Sequence, residues 1–284
     1  MKKLIQYATK ASFYDGPFGE DGHPWIAAGM GYVMETPAGE LIAVDGGTEE
    51  DRDGVLRLIE DMWNGDGVPT VALWVLTHPH PDHFGALGAI AEMDGVSSRL
   101  NVKTVAARFP EDFNYNAASR TDKALATLAG IVQSFGAELK VPCIGDVLYV
   151  GDTEVKFYFA PEDISEIHGP NPLSLIFSVR TDASRILFTG DAYWESLRST
   201  AERWGDELSS DVLQMPHHGL CDTGSGTFYR AVGARTLMIP TCTAGDRAME
   251  RECYEDAMEA NRTALEMASR VYKACDGTAE IELK

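Results

Sequence analysis

The chain is 284 residues long and carries 24 basic against 44 acidic residues, which gives a net charge of −20 at pH 7. A hydrophobic content of 44% is typical of a globular protein with a sizeable core and excludes a disordered chain. No apolar run approaches the ~18 residues of a membrane span, and so acidic a surface disfavours nonspecific nucleic-acid binding.

The predicted elements alternate between strands and helices along the whole chain. In the first half we predict strands at 2–7, 28–35, 40–45 and 70–76, and helices at 49–63, from about Phe84, and at about 120–135. In the second half we predict strands at 147–150, 154–159, 173–180, 185–190, 211–215 and 235–240, and helices near 192–203, 225–232 and 249–268. Two last strands, 270–274 and 278–283, are predicted to form a hairpin through Asp276-Gly277. This alternation favours an α/β fold.

The most informative segment is 77–83, with the sequence Thr-His-Pro-His-Pro-Asp-His. It places four candidate metal ligands within six positions, namely His78, His80, Asp82 and His83. Imidazole and carboxylate groups suit zinc, iron and manganese. One residue separates His78 from His80, so both imidazoles lie on the same side of an extended backbone. Because the segment follows a short apolar strand, we predict a metal site at the carboxyl end of that strand.

Further segments that end predicted strands carry polar residues of the same kinds. They are Leu41–Gly47, which contains Asp45, Ile186–Asp191, and Asp211–Gly219, which contains His217 and His218. With these segments in this order, the chain resembles the metallo-β-lactamase-fold hydrolases. Its resemblance is greatest to the branch that includes the hydrolase domain of the bacterial DNA-uptake competence protein, whose terminal hairpin is similar to residues 271–281. The resemblance implies a four-layer αββα sandwich, formed by residues 1–284 as a single domain.

The resemblance also implies a dinuclear metal centre. His78 and His80 would belong to the first ion, Asp82, His83 and His218 to the second, and Asp191 would bridge both. Zinc is the favoured metal, with iron and manganese as alternatives. Asp45 would lie beneath the ions and orient a ligand imidazole. Alternatively, Asp45 is only a turn residue at the end of a strand, beside Gly46 and Gly47.

The chain departs from the family at the third histidine of the first ion. Asn171 occupies the matching position in the competence branch, and His168 lies three residues earlier. Cys221 follows the His-His-Gly segment and is a third, weaker candidate. His217 is expected to be a neighbour of the ions or to face the substrate, with a histidine held by backbone groups as the equal alternative.

These residues predict a metal-dependent hydrolase in which Asp82 orients the attacking water. A phosphodiester or phosphate ester is the leading substrate class, and lactones, thioesters and β-lactams are the alternatives. Outside the hydrolases, the alternative is a metal-binding module with iron redox chemistry. Because the net charge is −20, we expect the partner to be a small-molecule ester rather than a nucleic acid. The five scattered cysteines suggest no disulfide framework, and with the absence of a signal-peptide-like start they favour the cytoplasm.

Overall fold

The computed structural model describes residues 1–16, 28–111, 123–161, 169–220, 226–249 and 255–283. Within these ranges the strands are β1 Lys3–Gln6, β2 Gly31–Glu35, β3 Leu41–Asp45, β4 Thr70–Leu76, β5 Asn101–Val102, β6 Thr104–Ala107, β7 Glu138–Lys140, β8 Val147–Val150, β9 Thr153–Phe159, β10 Ile176–Arg180, β11 Arg185–Phe188, β12 Val212–Gln214, β13 Thr236–Ile239, β14 Arg270–Lys273 and β15 Ala279–Glu280. The α-helices are α1 Arg52–Met62, α2 Pro81–Ala91, α3 Ala124–Phe135, α4 Trp194–Trp204, α5 Thr227–Val232, α6 Thr243–Ala248 and α7 Glu255–Met267. None of the described helices is long and apolar enough to cross a membrane.

The strands form two mixed sheets. The first has the order β15-β1-β2-β3-β4-β6-β7, with β5 also paired to β4, and the second has the order β14-β13-β12-β11-β10-β9-β8. In the first sheet β3, β4 and β6 run parallel to one another. In the second, β11, β12 and β13 are likewise parallel. Parallel neighbours end at the same edge of a sheet, so the segments that follow β3, β4, β11 and β12 can meet.

Three apolar clusters show the layers directly. One lies between the sheets and joins β-strand side chains such as Tyr32 and Val75 to Phe177 and Phe188. A second packs the outer face of the first sheet against α1, α2 and α3. A third packs the outer face of the second sheet against α4, α5 and α7. Two sheets back to back with helices on both outer faces are the predicted αββα sandwich.

The main correction concerns the end of the chain. The strands predicted as a hairpin lie in different sheets, because β14 pairs parallel with β13 and β15 pairs antiparallel with β1. A short 3₁₀ helix, Ala274–Asp276, carries the chain from one sheet to the other. The Asp-Gly pair therefore ends that 3₁₀ helix instead of forming a two-residue hairpin turn. The hairpin prediction failed because turn residues indicate a change of direction but not the partner of each strand.

Candidate metal centre

The candidate ligands lie at one edge of the sandwich and come from both sheets. Asp45 ends β3, and His78 follows β4 in the first sheet. Asp191 follows β11, and His218 follows β12 in the second sheet. A backbone hydrogen bond from Leu175 N to Thr77 O, 2.9 Å long, joins the two sheets beside this edge.

Helix α2 begins inside the predicted metal-binding segment, three residues earlier than expected. Pro81 is its first residue, a position where the fixed φ of proline is favourable and its missing N–H is not needed. Asp82 and His83 therefore lie in the first turn of the helix, where both are buried. A carboxylate at this end of a helix is stabilised by the helix dipole. The helix start thus fixes the direction of two candidate ligands.

One carboxylate oxygen lies at the centre of the cluster. Asp191 Oδ2 is 3.2 Å from His83 Nε2, 3.3 Å from His218 Nε2 and 3.7 Å from His78 Nε2. Asp82 Oδ2 lies 3.6 Å from the Nε2 atoms of both His83 and His218. The groups divide into two sets, whose ligand atoms lie within 4.8 Å of one another. The first set is His78, His80 and Asp191, and the second is Asp82, His83, Asp191 and His218.

Polar atoms without partners show that these residues fit a divalent cation. His83 Nε2 and Asp191 Oδ1 are buried and make no hydrogen bond, although Asp191 Oδ2 lies only 3.2 Å from His83 Nε2. Leaving buried polar atoms unpaired is unfavourable by about 1–3 kcal/mol each, so native proteins rarely do so. Imidazole and carboxylate groups that face each other without hydrogen-bond geometry are suited to sharing an ion. The donor set of nitrogen and carboxylate oxygen suits zinc, iron or manganese.

Groups behind the cluster hold the imidazoles in position. Asp45 Oδ2 accepts a hydrogen bond from His83 Nδ1 at 2.7 Å and from Thr77 Oγ1 at 2.7 Å, and Asp45 Oδ1 accepts from Thr77 N at 2.8 Å. His218 Nδ1 donates to the carbonyl of Pro240 at 2.6 Å. In both histidines a bond at Nδ1 leaves Nε2 directed at the cluster. Such bonds fix the tautomer and the orientation of a metal ligand.

Left-handed backbone at non-glycine residues is confined to this edge within the described parts of the chain. The non-glycine residues with positive φ in the described chain are Asp45 at 50°, His217 at 45° and His218 at 58°. Left-handed backbone is unfavourable for residues with a Cβ and persists where the surroundings enforce it, often at functional sites. All three residues had been selected from the sequence as candidates for the site.

Sequence reasoning missed two residues that shape the loop carrying Asp191. Gln214 Oε1 accepts hydrogen bonds from Thr189 N and Gly190 N, both 2.8 Å long. Ser174 Oγ accepts one from Asp191 N at 3.0 Å. Gln214 alone could have been noticed, as a polar residue within an apolar strand. Such a residue must satisfy its amide inside the protein.

Charges within the cluster shift its pKa values strongly. Burial opposes the charged form of His218, but Asp191 and Asp82 prevail and raise its pKa to about 10. His83 shows the same balance, and Asp191, Asp82 and Asp45 hold its pKa well above the usual value. Burial lowers the pKa of His78 well below the usual value. Burial also opposes the charged form of Asp191, but His218 and His83 hold its pKa well below normal.

The structure places two of the remaining candidates beside the cluster. Asn171 is buried, and its Nδ2 donates to Tyr193 Oη at 3.1 Å and to His217 Nε2 at 3.0 Å. His217 Nε2 lies 3.9 Å from Asp191 Oδ2. His168 and Cys221 lie outside the described residues. Among the described candidates, Asn171 and His217 are therefore the neighbours of the incomplete first set.

A carboxylate shared between two sets of imidazoles, at the strand ends of an αββα sandwich, is a candidate centre for divalent metal ions. Residues 28–221 match the sequence profile of the metallo-β-lactamase superfamily. This match covers more than half of the chain, and the chain belongs to that superfamily. The ions it implies are divalent metals.

Solved structures share the fold at low sequence identity. The metallo-β-lactamase fold protein YhfI from Bacillus subtilis is 13% identical with a TM-score of 0.56, over 99% of this chain and 100% of that one. Zn²⁺-bound PqqB from Methylobacterium extorquens is 11% identical with a TM-score of 0.57, over 98% and 100%. CmlA, a diiron β-hydroxylase from Streptomyces venezuelae, is 12% identical with a TM-score of 0.52, over 99% of this chain and 54% of that one. No curated protein sequence matches the chain.

Proposed function

We propose that this protein is a metal-dependent hydrolase that cleaves a phosphodiester or phosphate ester with water. In the proposed centre His78 and His80 would hold one ion, Asp82, His83 and His218 would hold the other, and Asp191 would be shared between them. The observation that carries the proposal is the convergence of buried imidazoles from both sheets on one oxygen of Asp191. Two divalent ions, when bound, supply Lewis acidity and make a water molecule acidic enough to ionise near neutral pH.

The protein groups then have separate tasks. Asp82 is on the first turn of α2 with its Oδ2 facing both His83 and His218. A carboxylate at this point can orient the attacking water and carry its proton toward the leaving group. Asp45 keeps His83 in one orientation through the bond at Nδ1. Gln214 and Ser174 keep the loop of Asp191 in place through its backbone N–H groups.

The proposed substrate class is supported by features that the chain shares with the competence branch. Asn171 stands where many superfamily members have a histidine, and the segment at 217–219 is His-His-Gly. The net charge of −20 favours a small ester over a nucleic acid, because a polyanion is repelled before it reaches the site. We therefore propose a small-molecule diester or monoester, in a single-domain protein, with zinc as the favoured metal.

The fold of CmlA supports one alternative outside hydrolysis. A diiron β-hydroxylase has the same architecture, so a non-hydrolytic iron centre is the second candidate for this chain. Iron and zinc would be bound by the same imidazole and carboxylate groups. The metal found in protein purified without chelator, together with its activity on esters, separates the two candidates.

A substrate screen on metal-reconstituted protein tests the proposal. Protein stripped with a chelator would be reloaded with Zn²⁺, Mn²⁺ or Fe²⁺ and assayed on a bis-aryl phosphate, an aryl phosphate, a lactone, a thioester and a β-lactam. We expect the phosphate esters to be hydrolysed fastest, and the Asp191→Asn protein to be inactive on them. A protein that binds no transition metal under these conditions contradicts the proposal. Turnover of only the lactone, thioester or β-lactam would keep the hydrolase and overturn the phosphate ester.

A further inference from the structure

The two ligand sets are unequal. The set around His83 contains four residues, whereas the set around His78 contains three, one of which is the shared Asp191. The His83 set is closed, with the side chain of His218 only 5% exposed, whereas His80 and His217 border the open side of the cluster. Zinc in proteins takes at least three protein ligands at a catalytic site. Apart from the shared Asp191, the set around His78, hereafter the open set, has two ligands of its own, whereas the set around His83 has three, so the open set has room for one more ligand from a neighbouring residue.

We propose that His217 supplies this ligand, so that the consecutive residues His217 and His218 bind different ions. The proposal rests on the two-ion centre of the proposed function, but not on the substrate. It concerns a residue that the family resemblance places outside the ligand set. The rival candidates for the same position are Asn171 and His168.

The backbone gives the first argument. Side chains of consecutive residues in an extended strand point to opposite faces, so a His-His pair after β12 would ordinarily direct one ring away from the centre. Both residues instead have left-handed backbone, with φ of 45° at His217 and 58° at His218. As a result both imidazoles face Asp191, whose Oδ2 lies 3.9 Å from His217 Nε2 and 3.3 Å from His218 Nε2. Strain at two adjacent residues is explained if both rings are needed at the centre.

Distance gives the second argument. Two ligand atoms about 2.1 Å from one ion lie about 3.4 Å apart in a tetrahedral shell and cannot be more than about 4.2 Å apart. The His217 Nε2 to Asp191 Oδ2 distance of 3.9 Å satisfies this limit. It is close to the 3.7 Å that separates Asp191 Oδ2 from His78 Nε2, which belongs to the open set. His217 thus lies within reach of an ion that Asp191 also contacts.

The surroundings of His217 give the third argument. Its Nδ1 is buried and makes no hydrogen bond, and its Nε2 contacts Asn171 Nδ2 at 3.0 Å. With Nδ2 as the donor, the single lone pair of Nε2 faces Asn171, so a rotation of the ring is needed to turn it toward the centre, and the unpaired Nδ1 makes no hydrogen bond that opposes this rotation. An imidazole nitrogen is also a better ligand for a zinc-like ion than the amide of Asn171. We infer that Asn171 holds Nε2 of His217 beside the centre and that an ion replaces Asn171 as the partner of its lone pair.

Metal stoichiometry tests the inference without any substrate. Chelated wild-type protein and the variants His217→Ala, His168→Ala and Asn171→Ala would be titrated with Zn²⁺ by calorimetry, and the bound metal counted by elemental analysis. We expect the His217→Ala protein to fall from about two ions per chain to about one, or to bind the second at least ~10-fold more weakly. The His168→Ala and Asn171→Ala proteins should keep both ions.

Cobalt supplies an independent readout. The visible absorption of Co²⁺ depends on the number and type of its ligands, so the His217→Ala spectrum should lose the contribution of one site. Added imidazole should restore part of that spectrum by occupying the space left by the side chain. A His217→Gln variant, checked by thermal melting, replaces His217→Ala if the latter does not fold.

Several results would overturn the assignment. A His217→Ala protein that binds two ions with an unchanged Co²⁺ spectrum would show that His217 is not a ligand. Loss of one ion in the His168→Ala or the Asn171→Ala protein, with His217→Ala unaffected, would assign the position to that residue. If every variant binds two ions and wild-type protein hydrolyses an ester, the ligand assignment fails while the proposed hydrolase stands. If His217→Ala loses one ion but wild-type protein hydrolyses no ester, the assignment stands while the proposed hydrolase fails.

Discussion

Asp82 lies between two buried imidazoles, with its Oδ2 3.6 Å from the Nε2 atom of His83 and 3.6 Å from that of His218. Asp82→Asn preserves the shape of the side chain but removes its charge and its ability to accept a proton. We expect hydrolysis to slow by about 10²–10⁴-fold, the usual contribution of a general base. Rates would be measured together with metal content and melting temperature. Full activity at full metal content would contradict the role of Asp82.

Asp45 acts one layer behind the ions, through its bond to His83 Nδ1. In the Asp45→Asn protein this bond is weakened, and the imidazole loses its fixed tautomer. We expect metal affinity to fall about 10- to 100-fold, as is typical when a partner of a metal-bound histidine is changed. Calorimetric titration of chelated protein gives the affinity.

Asp51 offers a matched control for Asp45. It is also a buried carboxylate, but it accepts hydrogen bonds from Lys10 N at 2.7 Å and from Thr48 N and Oγ1, both at 2.9 Å. Asp51→Asn should reduce the free energy of unfolding without changing metal affinity. If both variants lose affinity equally, Asp45 acts only by stabilising the fold.

At the level of the elements, the loop after β11 approaches the loop after β4 very closely. Gly190 has φ of +54°, and a Cβ at this residue would lie 2.9 Å from Thr77 Cβ and 3.0 Å from Ser174 Oγ. Gly190→Ala must therefore separate the two sheets beside Asp191. We expect the free energy of unfolding to decrease by about 1–3 kcal/mol, with weaker metal binding as well.

Gly130 is the control for this substitution. It lies within α3, and a Cβ there meets nothing within 4 Å. Gly130→Ala should stabilise the helix by about 0.5–1 kcal/mol. Chemical denaturation of both variants gives the comparison. A neutral Gly190→Ala protein would show that the sheets are not held together at this point.

The sequence was sufficient to predict the elements with strong patterns. β4 was predicted with the residues observed, and α1 and α3 were close, because apolar periodicity over a long segment is clear. Strands β5, β6 and β7 were missed, since two to four residues are too few for a period to be recognised. The pairing of β14 and β15 with different sheets was missed because it depends on contacts distant in sequence.

For the candidate site too, local patterns in the sequence were recognised, whereas contacts between distant residues were not. The cluster at 78–83 was found from spacing, because several ligands lie in one short segment. Gln214 and Ser174 were not found, since each acts on a backbone N–H of a loop far away in sequence. Which of the two adjacent histidines faces which ion depends on backbone angles that spacing does not determine.

On the scale of the whole molecule, metal binding at the centre is coupled to protons. Asp191 and Asp82 overcome burial and raise the pKa of His218 to about 10, and with Asp45 they hold the pKa of His83 well above its usual value. A metal ligand must be deprotonated, so metal binding at pH 7 should release protons. The apparent metal affinity should consequently rise with pH until the pH exceeds about 10. Calorimetry in buffers with different ionisation enthalpies measures this release, and identical heats in all buffers would contradict it.

The overall charge of −20 has a kinetic consequence for large substrates. The Debye length decreases from about 30 Å at 0.01 M salt to about 8 Å at 0.15 M, so added salt screens repulsion between the protein and a polyanion. We expect kcat/KM for cleavage of a DNA oligonucleotide to rise over this range. The value for a small diester should change little. A fall in kcat/KM with salt would indicate a local basic path to the site.

The pairing of β15 with β1 joins residues from opposite ends of the chain, with Ile5 opposite Glu280 and Gln6 opposite Ala279. During translation, β1 is made before the ligand-bearing segments, but its outer neighbour β15 is made only after them. Until then, a nascent chain presents an unpaired strand edge, which is a template for association with other chains. A ribosome that stalls between His218 and Ala279 therefore leaves a chain whose ligand-bearing segments are complete but whose β1 still lacks its outer partner.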